Sequence, residues 1–554
     1  MKILLAACNA KYIHSNPAVY DLRAFADCYR DSILLREYTI NQTKDEVMKD
    51  IFRSGADIVC FSCYIWNISY IRDLLPDLKK ILPGTAFWAG GPEVSFDGEN
   101  FLKENPSLTG IMMGEGESTF LDLAAYYLEG KGSLEAIPGI IYRRDDKMIH
   151  NGLRELMDLS QVPFTYEHVE DFANRIIYYE SSRGCPFSCS YCLSSVDKKL
   201  RFRELSLVKK ELQFFLDKKV PQVKFVDRTF NCRHDHAMEI WQYIYDHDNG
   251  ITNFHFEVSA DLIREEELEL MSRMRPGLIQ LEIGVQSTNP ETIQAIRRTM
   301  NLDRLKKTVA QIKSYGNIHQ HLDLIAGLPY EDYQSFRNSF CQVYRMEPDQ
   351  LQLGFLKVLK GSAMYEEAAQ YQILYKEKEP YEVLSTRWLS YEEILKLKMV
   401  ESMVEVYYNS GQFQHTLGWI MERVENPFDF FESLGAFYEE KGYSEISHSR
   451  IRRYEILLEF LQEKTAISWE TASRYMVYDL YLREKLKKRP DFASDQKPYE
   501  RAIWNYRKAN AIPKTAHIEV FGHREAVLFD YEKRKPLTNN AEAYRISLSY
   551  EDDH

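Results

Sequence analysis

The amino-acid sequence predicts an α/β protein built from a Rossmann-like N-terminal domain, a partial (β/α)6 TIM-type barrel and a mostly α-helical C-terminal domain with a small terminal sheet. Short apolar runs alternate with amphipathic stretches up to residue 130, the alternation resumes from residue 176 to about residue 361, and long helical patterns follow. Alternating strands and helices form parallel sheets. We therefore divide the chain into residues 1–130, a connector at 131–175, the barrel at 176–362 and the C-terminal domain at 363–554.

The composition limits the classes of protein and of partner. A chain of 554 residues with 45% hydrophobic residues is long enough for several domains with full cores. The net charge of -13 argues against general nucleic-acid binding, since that affinity comes from Lys and Arg that neutralise phosphates. No window approaches the roughly 18 apolar residues of a membrane span. The nine cysteines lack a scaffold-like spacing, which favours a reducing compartment and predicts a cytoplasmic protein.

The first domain has the pattern of a parallel sheet with a ligand site at one edge. The predicted strands are Lys2–Ala7, Ile58–Cys63 and Ala86–Ala89, and apolar spacing from Ile68 to Leu82 predicts a helix that Pro76 should kink. Ligands of such sheets bind beyond the carboxyl ends of the strands. The segments at those ends are Cys8–Asn16, Cys63–Asn67, Gly90–Ser95 and Gly114–Ser118.

The second sheet should form a partial barrel. The connector before it has a predicted hairpin around Asp145-Asp146. Catalytic groups of barrels lie at the carboxyl ends of the strands. The six predicted strands cover residues 176–182, 223–228, 253–259, 279–286, 319–326 and 351–358.

Polar residues interrupt four of these apolar strands near their carboxyl ends. They are Asp227, Glu257, Gln286 and Asp323. A charged group in a buried run costs several kcal/mol unless it is paired, so the four positions indicate a polar ligand. Internal ion pairing with Arg228 or Arg298 is the competing interpretation.

A three-cysteine loop follows the first barrel strand. Cys185, Cys189 and Cys192 have the spacing C-x-x-x-C-x-x-C. Three thiolates on one loop can hold three irons of a [4Fe–4S] cluster and leave the fourth iron open for another ligand. A zinc loop is the alternative, but zinc requires a fourth Cys or His, and the nearest downstream histidines are His234 and His236.

The three-cysteine loop resembles that of the radical S-adenosylmethionine (SAM) superfamily. In this family the open iron of the cluster binds the amino and carboxylate groups of SAM. Tyr191, just before the third cysteine, fits this resemblance. The barrel resembles the branch of oxygen-independent coproporphyrinogen oxidase and magnesium-protoporphyrin cyclase. The matching positions imply that Glu257, Gln286 and Asp323 contact the ribose or amino-acid part of SAM, and that Arg298 meets its carboxylate. Asp227-Arg228 stands where many relatives have a Gly-Gly-Glu or paired acidic segment, so Asp227 is a less certain SAM contact.

Two glycine-rich segments of the first domain resemble the cobalamin-binding domain that precedes the cluster in one large subgroup of this superfamily. They are Gly90-Gly91-Pro92-Glu93 and Gly114-Glu115-Gly116-Glu117-Ser118. A Rossmann-like fold with glycine turns is the alternative. His14 lacks the D-x-H-x-x-G motif of cobalamin carriers, so we expect no histidine ligand on the lower face of cobalt. Tyr64, Trp66 and Asn67 are candidates for covering that face, with core packing as the competing role of Trp66.

The resemblance implies a cobalamin-dependent radical SAM enzyme, and we expect a methyltransferase that acts on an unactivated carbon. The alternatives are a radical enzyme that cyclises or rearranges its substrate without net methylation, and a corrinoid or iron–sulfur carrier. Expected partners are a small-molecule or peptide substrate and an electron donor such as flavodoxin or ferredoxin. The C-terminal domain has no recognisable motif; residues 390–510 are predicted helical, and Thr515–Ser549 should form a small antiparallel sheet with turns at Gly522 and Pro536–Asn540.

Overall fold

The structure is a computed structural model that describes residues 1–145, 147–522 and 525–549. Its first sheet has seven strands in the order β2-β1-β3-β4-β5-β6-β7, of which the first five run parallel and β6 and β7 are antiparallel to their neighbours. The strands are β1 Ile3–Asn9, β2 Ile33–Thr39, β3 Ile58–Ser62, β4 Ala86–Gly90, β5 Gly110–Met112, β6 Ile140–Arg144 and β7 Lys147–His150.

Helices cover both faces of this sheet, so the central strands β1 and β3 are fully buried and two separate apolar clusters form. The predicted helix is α3, which continues without interruption through Pro76. The helices are α1 Pro17–Phe25, α2 Lys44–Ser54, α3 Ile68–Ile81, α4 Pro92–Ser95, α5 Gly98–Glu104 and α6 Glu117–Glu129.

The hairpin predicted in the connector forms and completes the first sheet, although its turn residue Asp146 lies outside the described residues. The sheet therefore extends to His150, past residue 130, where the sequence predicts the end of the first domain. Sequence analysis missed β2, because Arg36 and Glu37 interrupt its apolar pattern.

The second sheet has six parallel strands in the order β15-β14-β13-β12-β11-β8, an open barrel wall as predicted. Two short strands, β9 Ser182–Arg183 and β10 Arg201–Phe202, pair beside the cysteine loop. The wall strands are β8 Ile177–Tyr179, β11 Gln222–Phe225, β12 Asn253–Val258, β13 Ile279–Gln286, β14 His319–Ala326 and β15 Gln350–Phe355. The helices outside the wall are α7 Leu205–Asp217, α8 His234–Asp246, α9 Glu265–Arg273, α10 Pro290–Ala295, α11 Leu302–Tyr315 and α12 Tyr333–Tyr344.

The C-terminal helices pack on the barrel and share its core. Phe340 on α12 contacts the Phe428 ring with centroids 5.4 Å apart. Asn409 exchanges two hydrogen bonds of 2.9 Å with the backbone of Leu351, which satisfies polar groups on the edge strand β15. The remaining helices are α13 Ala363–Glu367, α14 Tyr391–Met403 with a π-helical continuation Val404–Asn409, α15 Gln414–Met421, α16 Pro427–Glu440, α17 Arg450–Lys464, α18 Trp469–Arg483 and α19 Glu500–Ala509.

The last strands form the small antiparallel sheet that the sequence predicts, with the turn after Gly522 outside the described residues. Among the residues that the structure describes, no helix is long and apolar enough to cross a membrane. The short strands of this part are β16 Leu374–Tyr375, β17 Val383–Ser385, β18 His517–Gly522, β19 Glu525–Arg534 and β20 Ala541–Ile546.

Candidate active site

The carboxyl ends of the two parallel sheets face one cavity of about 750 Å³. The loop after β1 reaches the first barrel strand directly, since His14 pairs with Ile176 in a β-bridge and its Nδ1 lies 2.7 Å from the Tyr178 hydroxyl. Loops of the first sheet line one wall, and the ends of β8 and β11 line the other. A ligand in this cavity would contact both domains.

All four glycines predicted as cofactor contacts line this cavity. They are Gly90, Gly91, Gly114 and Gly116. Gly91 has a φ of 114°, and a Cβ there would collide with the Cys63 carbonyl. Only glycine fits this position without strain, so the loop after β4 presents bare backbone to the cavity.

Tyr64 and Trp66 form a stacked aromatic pair at the cavity wall, with centroids 4.5 Å apart and planes inclined by 7°. Trp66 is 44% exposed, which rules out core packing as its role. Asn67 does not line the cavity: its amide nitrogen donates to the carbonyls of Cys8 and Ser62, each at 2.9 Å, and its oxygen accepts from the Tyr64 N–H. Asn67 therefore shapes the loop that presents the aromatic pair.

Glu93 also turns away from the cavity. Its carboxylate accepts a hydrogen bond from the Tyr381 hydroxyl, and Lys360 forms an ion pair with Asp97 at 3.3 Å. These contacts join the loops after β4 to the segment that follows the barrel. Glu93 is placed to hold the C-terminal part against the first domain.

Glu115 joins the two domains at the cavity wall. Arg183 donates to Glu115 at 3.2 Å and to Glu117 at 2.7 Å, and Arg201 donates to Glu115 at 2.6 Å. Arg183 also pairs with Glu180, three residues before it in the chain. The charges of these side chains are thus paired with one another before any ligand is bound.

Cys185, Cys189 and Cys192 lie on one loop beside the carboxyl end of the barrel wall, all as free thiols. Gly184 has a φ of 93°, and a Cβ there would approach the Lys199 carbonyl to 2.7 Å. Cys185 and Cys189 are each 8% exposed, while Cys192 is more open. The donor set suits a cluster with three protein ligands.

Arg298 links the cysteine loop to the barrel. Its guanidinium donates to the Tyr191 hydroxyl at 3.2 Å and to the Gly284 carbonyl, and it lies 3.9 Å from the Cys189 sulfur. Its Nε is buried without a hydrogen-bond partner among the described residues. The competing interpretation, an ion pair between Arg298 and a carboxylate of the protein, finds no such pair among the described residues, which leaves the guanidinium available to an anionic ligand.

Glu257, Gln286 and Asp323 face the barrel interior, as their positions at strand ends predict. Burial and the Glu282 carboxylate raise the pKa of Glu257 to about 7 and that of Asp323 to about 8. The Gln286 Oε1 and Asp323 Oδ1 atoms are buried without hydrogen-bond partners in the described part of the chain. Unpaired buried polar atoms are costly, so the interior is suited to a polar ligand that supplies partners.

Asp227 is fully buried, against the segment that precedes the cysteine loop. Its carboxylate accepts from the Ser181 N–H at 2.9 Å, the Ser181 hydroxyl at 2.6 Å and the Ser182 hydroxyl at 2.7 Å, and burial raises its pKa to about 7. The neighbouring Arg228 lines the cavity with no ion-pair partner among the described residues. Asp227 thus positions the strand that leads into the cysteine loop.

Sequence analysis missed a polar group deeper in the barrel. Lys224, His255, Glu282 and His321 lie on four adjacent strands, with the Lys224 ammonium 3.1 Å and the His255 Nε2 3.0 Å from one Glu282 oxygen. The sequence does contain a signal for this group: His319, His321 and Asp323 alternate along β14, and alternate residues of a strand share a face.

Three family descriptions match successive parts of the chain. Residues 4–124 match the B12 binding domain, residues 179–342 match the radical SAM superfamily, and residues 369–531 match a family described as protein of unknown function (DUF4080). The matched segments coincide with the first sheet, the barrel wall and the C-terminal part.

Similar proteins extend these matches. The cobalamin-dependent radical SAM methyltransferase TokK of Streptomyces tokunonensis is 27% identical over 51% of this chain and 44% of its own length. The anaerobic magnesium-protoporphyrin IX monomethyl ester cyclase of Rubrivivax gelatinosus is 22% identical over 58% of this chain and 60% of its own. The chain thus spans about half the length of these relatives.

The structure of the cobalamin-dependent SAM radical enzyme OxsB has a TM-score of 0.59 and 15% identity, over 86% of this chain and 78% of that one. At this identity the likeness concerns the fold. It covers all three parts of the chain.

Proposed function

We propose that this chain, which joins a B12-binding domain to a radical SAM domain, is a cobalamin-dependent methyltransferase that acts on an unactivated carbon. One observation carries the proposal: the glycine loops and aromatic pair of the first domain and the end of the barrel wall beside the cysteine loop meet around a single cavity. A substrate between them would lie within reach of both cofactors.

The cysteine loop and the barrel interior fit a cluster and SAM. Cys185, Cys189 and Cys192 would hold three irons, and the partnerless Arg298 Nε, Gln286 Oε1 and Asp323 Oδ1 atoms would receive partners from SAM. Arg298 is suited to the carboxylate of SAM, because a buried guanidinium gains most from a charge-assisted hydrogen bond. Glu257, with a raised pKa, would contact the polar part of the same molecule.

The first domain fits a corrin ring. Gly90, Gly91, Gly114 and Gly116 allow close backbone approach, and Tyr64 and Trp66 offer a flat apolar surface to the lower face. The His14 Nδ1 is engaged by Tyr178. When bound, the cluster and SAM supply a 5′-deoxyadenosyl radical and cobalamin supplies the methyl group, while these residues orient the reactants and exclude water.

The proposal extends to partners and location. The radical SAM domain requires a reductant, for which flavodoxin or ferredoxin is the proposed donor. The substrate is a small molecule or a peptide. A cytoplasmic location is supported by nine cysteines that are all free thiols.

The products of SAM test the reaction class without a known substrate. Cobalamin-loaded, cluster-loaded protein should release S-adenosylhomocysteine as well as 5′-deoxyadenosine when it is reduced anaerobically with SAM, because methylation requires two different cleavages of SAM. Protein without cobalamin should release only 5′-deoxyadenosine. The similarity to magnesium-protoporphyrin cyclase favours one alternative, radical chemistry without net methylation. Holoprotein that forms 5′-deoxyadenosine and never S-adenosylhomocysteine would establish that alternative.

A further inference from the structure

Strand β14 carries a row of potential metal ligands, of which the proposed function uses Asp323 alone. His319, His321 and Asp323 alternate along the strand and therefore share the face that lines the barrel interior. Glu282 on β13 is the register partner of His321. The ligand atoms of Glu282, His321 and Asp323 all lie within 4.8 Å of one another.

A fourth side chain completes this group. The His255 Nε2 on β12 lies 3.0 Å from Glu282 Oε2, and the His321 Nε2 lies 3.1 Å from Asp323 Oδ1. Two imidazoles and two carboxylates thus converge from three adjacent strands. Rigid strands are a precise support for such a group.

The atoms of this group are buried and contact one another. The His255 Nε2 lies 3.0 Å from Glu282 and the His321 Nε2 lies 3.1 Å from Asp323, yet these atoms make no well-formed hydrogen bond among the described residues, and both histidines are only 7% exposed. A bound cation would satisfy the donor atoms of all four side chains together.

The ionisation of these side chains governs cation binding. Ionised carboxylates and neutral imidazoles are the forms of these side chains that bind metals. The Lys224 ammonium lies 3.1 Å from Glu282, so it is the positive group with which a bound cation would compete.

We propose that Glu282, His321, Asp323 and His255 bind a divalent transition-metal ion, of the zinc type, inside the barrel. Mixed imidazole and carboxylate ligands suit zinc and iron(II). The site lies nearer the amino ends of the strands than Gln286, so it forms the floor beneath the proposed SAM pocket. Asp323 joins the two sites, because its carboxyl group is also proposed to contact SAM above.

Metal analysis tests the site independently of catalysis. Cluster-loaded full-length protein, with its cysteines occupied by iron, is incubated with excess ZnCl2 and desalted over chelating resin. We expect about one zinc ion per chain in addition to the iron. Glu282→Gln and His321→Gln should each weaken zinc binding by at least about tenfold, while His415→Gln, at an exposed histidine of the C-terminal part, should keep it.

One variant separates a metal site from a structural effect. Lys224→Met removes the ammonium beside Glu282, so zinc should bind about tenfold more tightly, a result that misfolding cannot produce. Cobalt(II) in place of zinc should give the visible absorption of a low-coordinate site. The proposal fails if the cluster-loaded wild type retains no zinc or cobalt, if Glu282→Gln and His321→Gln retain as much as wild type, or if Lys224→Met does not bind more tightly.

Discussion

The Glu331 carboxylate accepts a hydrogen bond from the Ser287 hydroxyl at 2.7 Å. The residue before Ser287 is Gln286, whose φ of 71° lies in the left-handed region that side-chain-bearing residues rarely adopt. Ser339 donates to the same Glu331 oxygen at 2.9 Å. Such strain persists only where neighbouring contacts impose it, so Glu331 holds Gln286 in the conformation that directs it into the barrel.

The first prediction concerns the pH dependence of stability. Burial raises the pKa of Glu331 from 4.5 to about 7. A carboxyl group shifted upward by folding stabilises the protein fully below its unfolded pKa, and this contribution is lost as the pH rises through about 7. Glu331→Gln removes this titrating group and keeps one acceptor oxygen.

The melting temperature of Glu331→Gln relative to that of the wild type should therefore rise between about pH 5 and pH 8, by the equivalent of about 2–3 kcal/mol. Exposed Glu439→Gln should show no such trend; equal pH profiles of Glu331→Gln and wild type would contradict the prediction.

The second prediction identifies the cluster ligands. The Cys185→Ala/Cys189→Ala/Cys192→Ala variant should hold no [4Fe–4S] cluster after anaerobic reconstitution, because the three thiols share one loop. Cys232 is the matched control, since it follows the turn of Thr229, whose hydroxyl lies 3.8 Å from the Cys185 sulfur. Cys232→Ala should bind iron and sulfide as wild type does. A cubane in the triple variant would refute the assignment.

The third prediction concerns Arg298. Arg298→Ala should reduce formation of both 5′-deoxyadenosine and S-adenosylhomocysteine about a hundredfold, because a lost carboxylate partner of this kind costs a few kcal/mol. Arg297→Ala is the control, since that neighbouring side chain is half exposed and pairs with Glu367 at the surface. If Arg298→Ala lowers only one of the two products, a single SAM site does not serve both cleavages. Iron content should be checked in parallel, because Arg298 also contacts the cysteine loop.

The fourth prediction concerns the lower face of cobalt. Cobalamin bound in the cobalt(II) state should give an electron paramagnetic resonance spectrum without nitrogen hyperfine splitting from an axial ligand, since His14 lacks the D-x-H-x-x-G motif of cobalamin carriers. His14→Ala should leave the spectrum unchanged. Nitrogen splitting that disappears in His14→Ala would show that the histidine is the ligand.

The fifth prediction concerns the glycine loop after β4. Gly91→Ala forces a Cβ against the Cys63 carbonyl at a φ of 114°, so the loop must move and corrinoid retention after purification should fall strongly. Gly84→Ala, where a Cβ meets nothing within 4 Å, should retain corrinoid. Thermal unfolding of both variants distinguishes a local loss of binding from a loss of fold. Full corrinoid retention in a folded Gly91→Ala protein would argue against this loop as a contact.

The sequence predicted β13 and β14 to the residue, because apolar side chains recur at alternate positions along both strands. It also located the cysteine loop and the glycine turns, whose chemistry depends on local spacing. For Trp66 the sequence left core packing open as an alternative role, because periodicity cannot separate a buried aromatic side chain from an exposed one. The structure shows that Trp66 is exposed.

What the sequence could not reveal depends on distant partners. The Asn67 amide donates a hydrogen bond to the carbonyl of Cys8, which is 59 residues away in the sequence. The hydroxyl that donates to Glu93 belongs to Tyr381, 288 residues away. A polar residue at a strand end looks the same whether it faces a ligand or such a partner. Only the assembled fold distinguishes the two, as it does for Asp227 with Ser181 and Ser182.

Arg183 lies two residues before Cys185 and pairs with Glu115 and Glu117 on the opposite wall of the cavity. Ordering either loop therefore lowers the entropic cost of ordering the other. A coupling free energy of this kind is reciprocal. If an assembled cluster raises the affinity for the corrinoid by some factor, bound corrinoid raises the affinity for the cluster by the same factor. We therefore expect the two cofactors to accumulate together in each chain, with half-loaded molecules as the rare species.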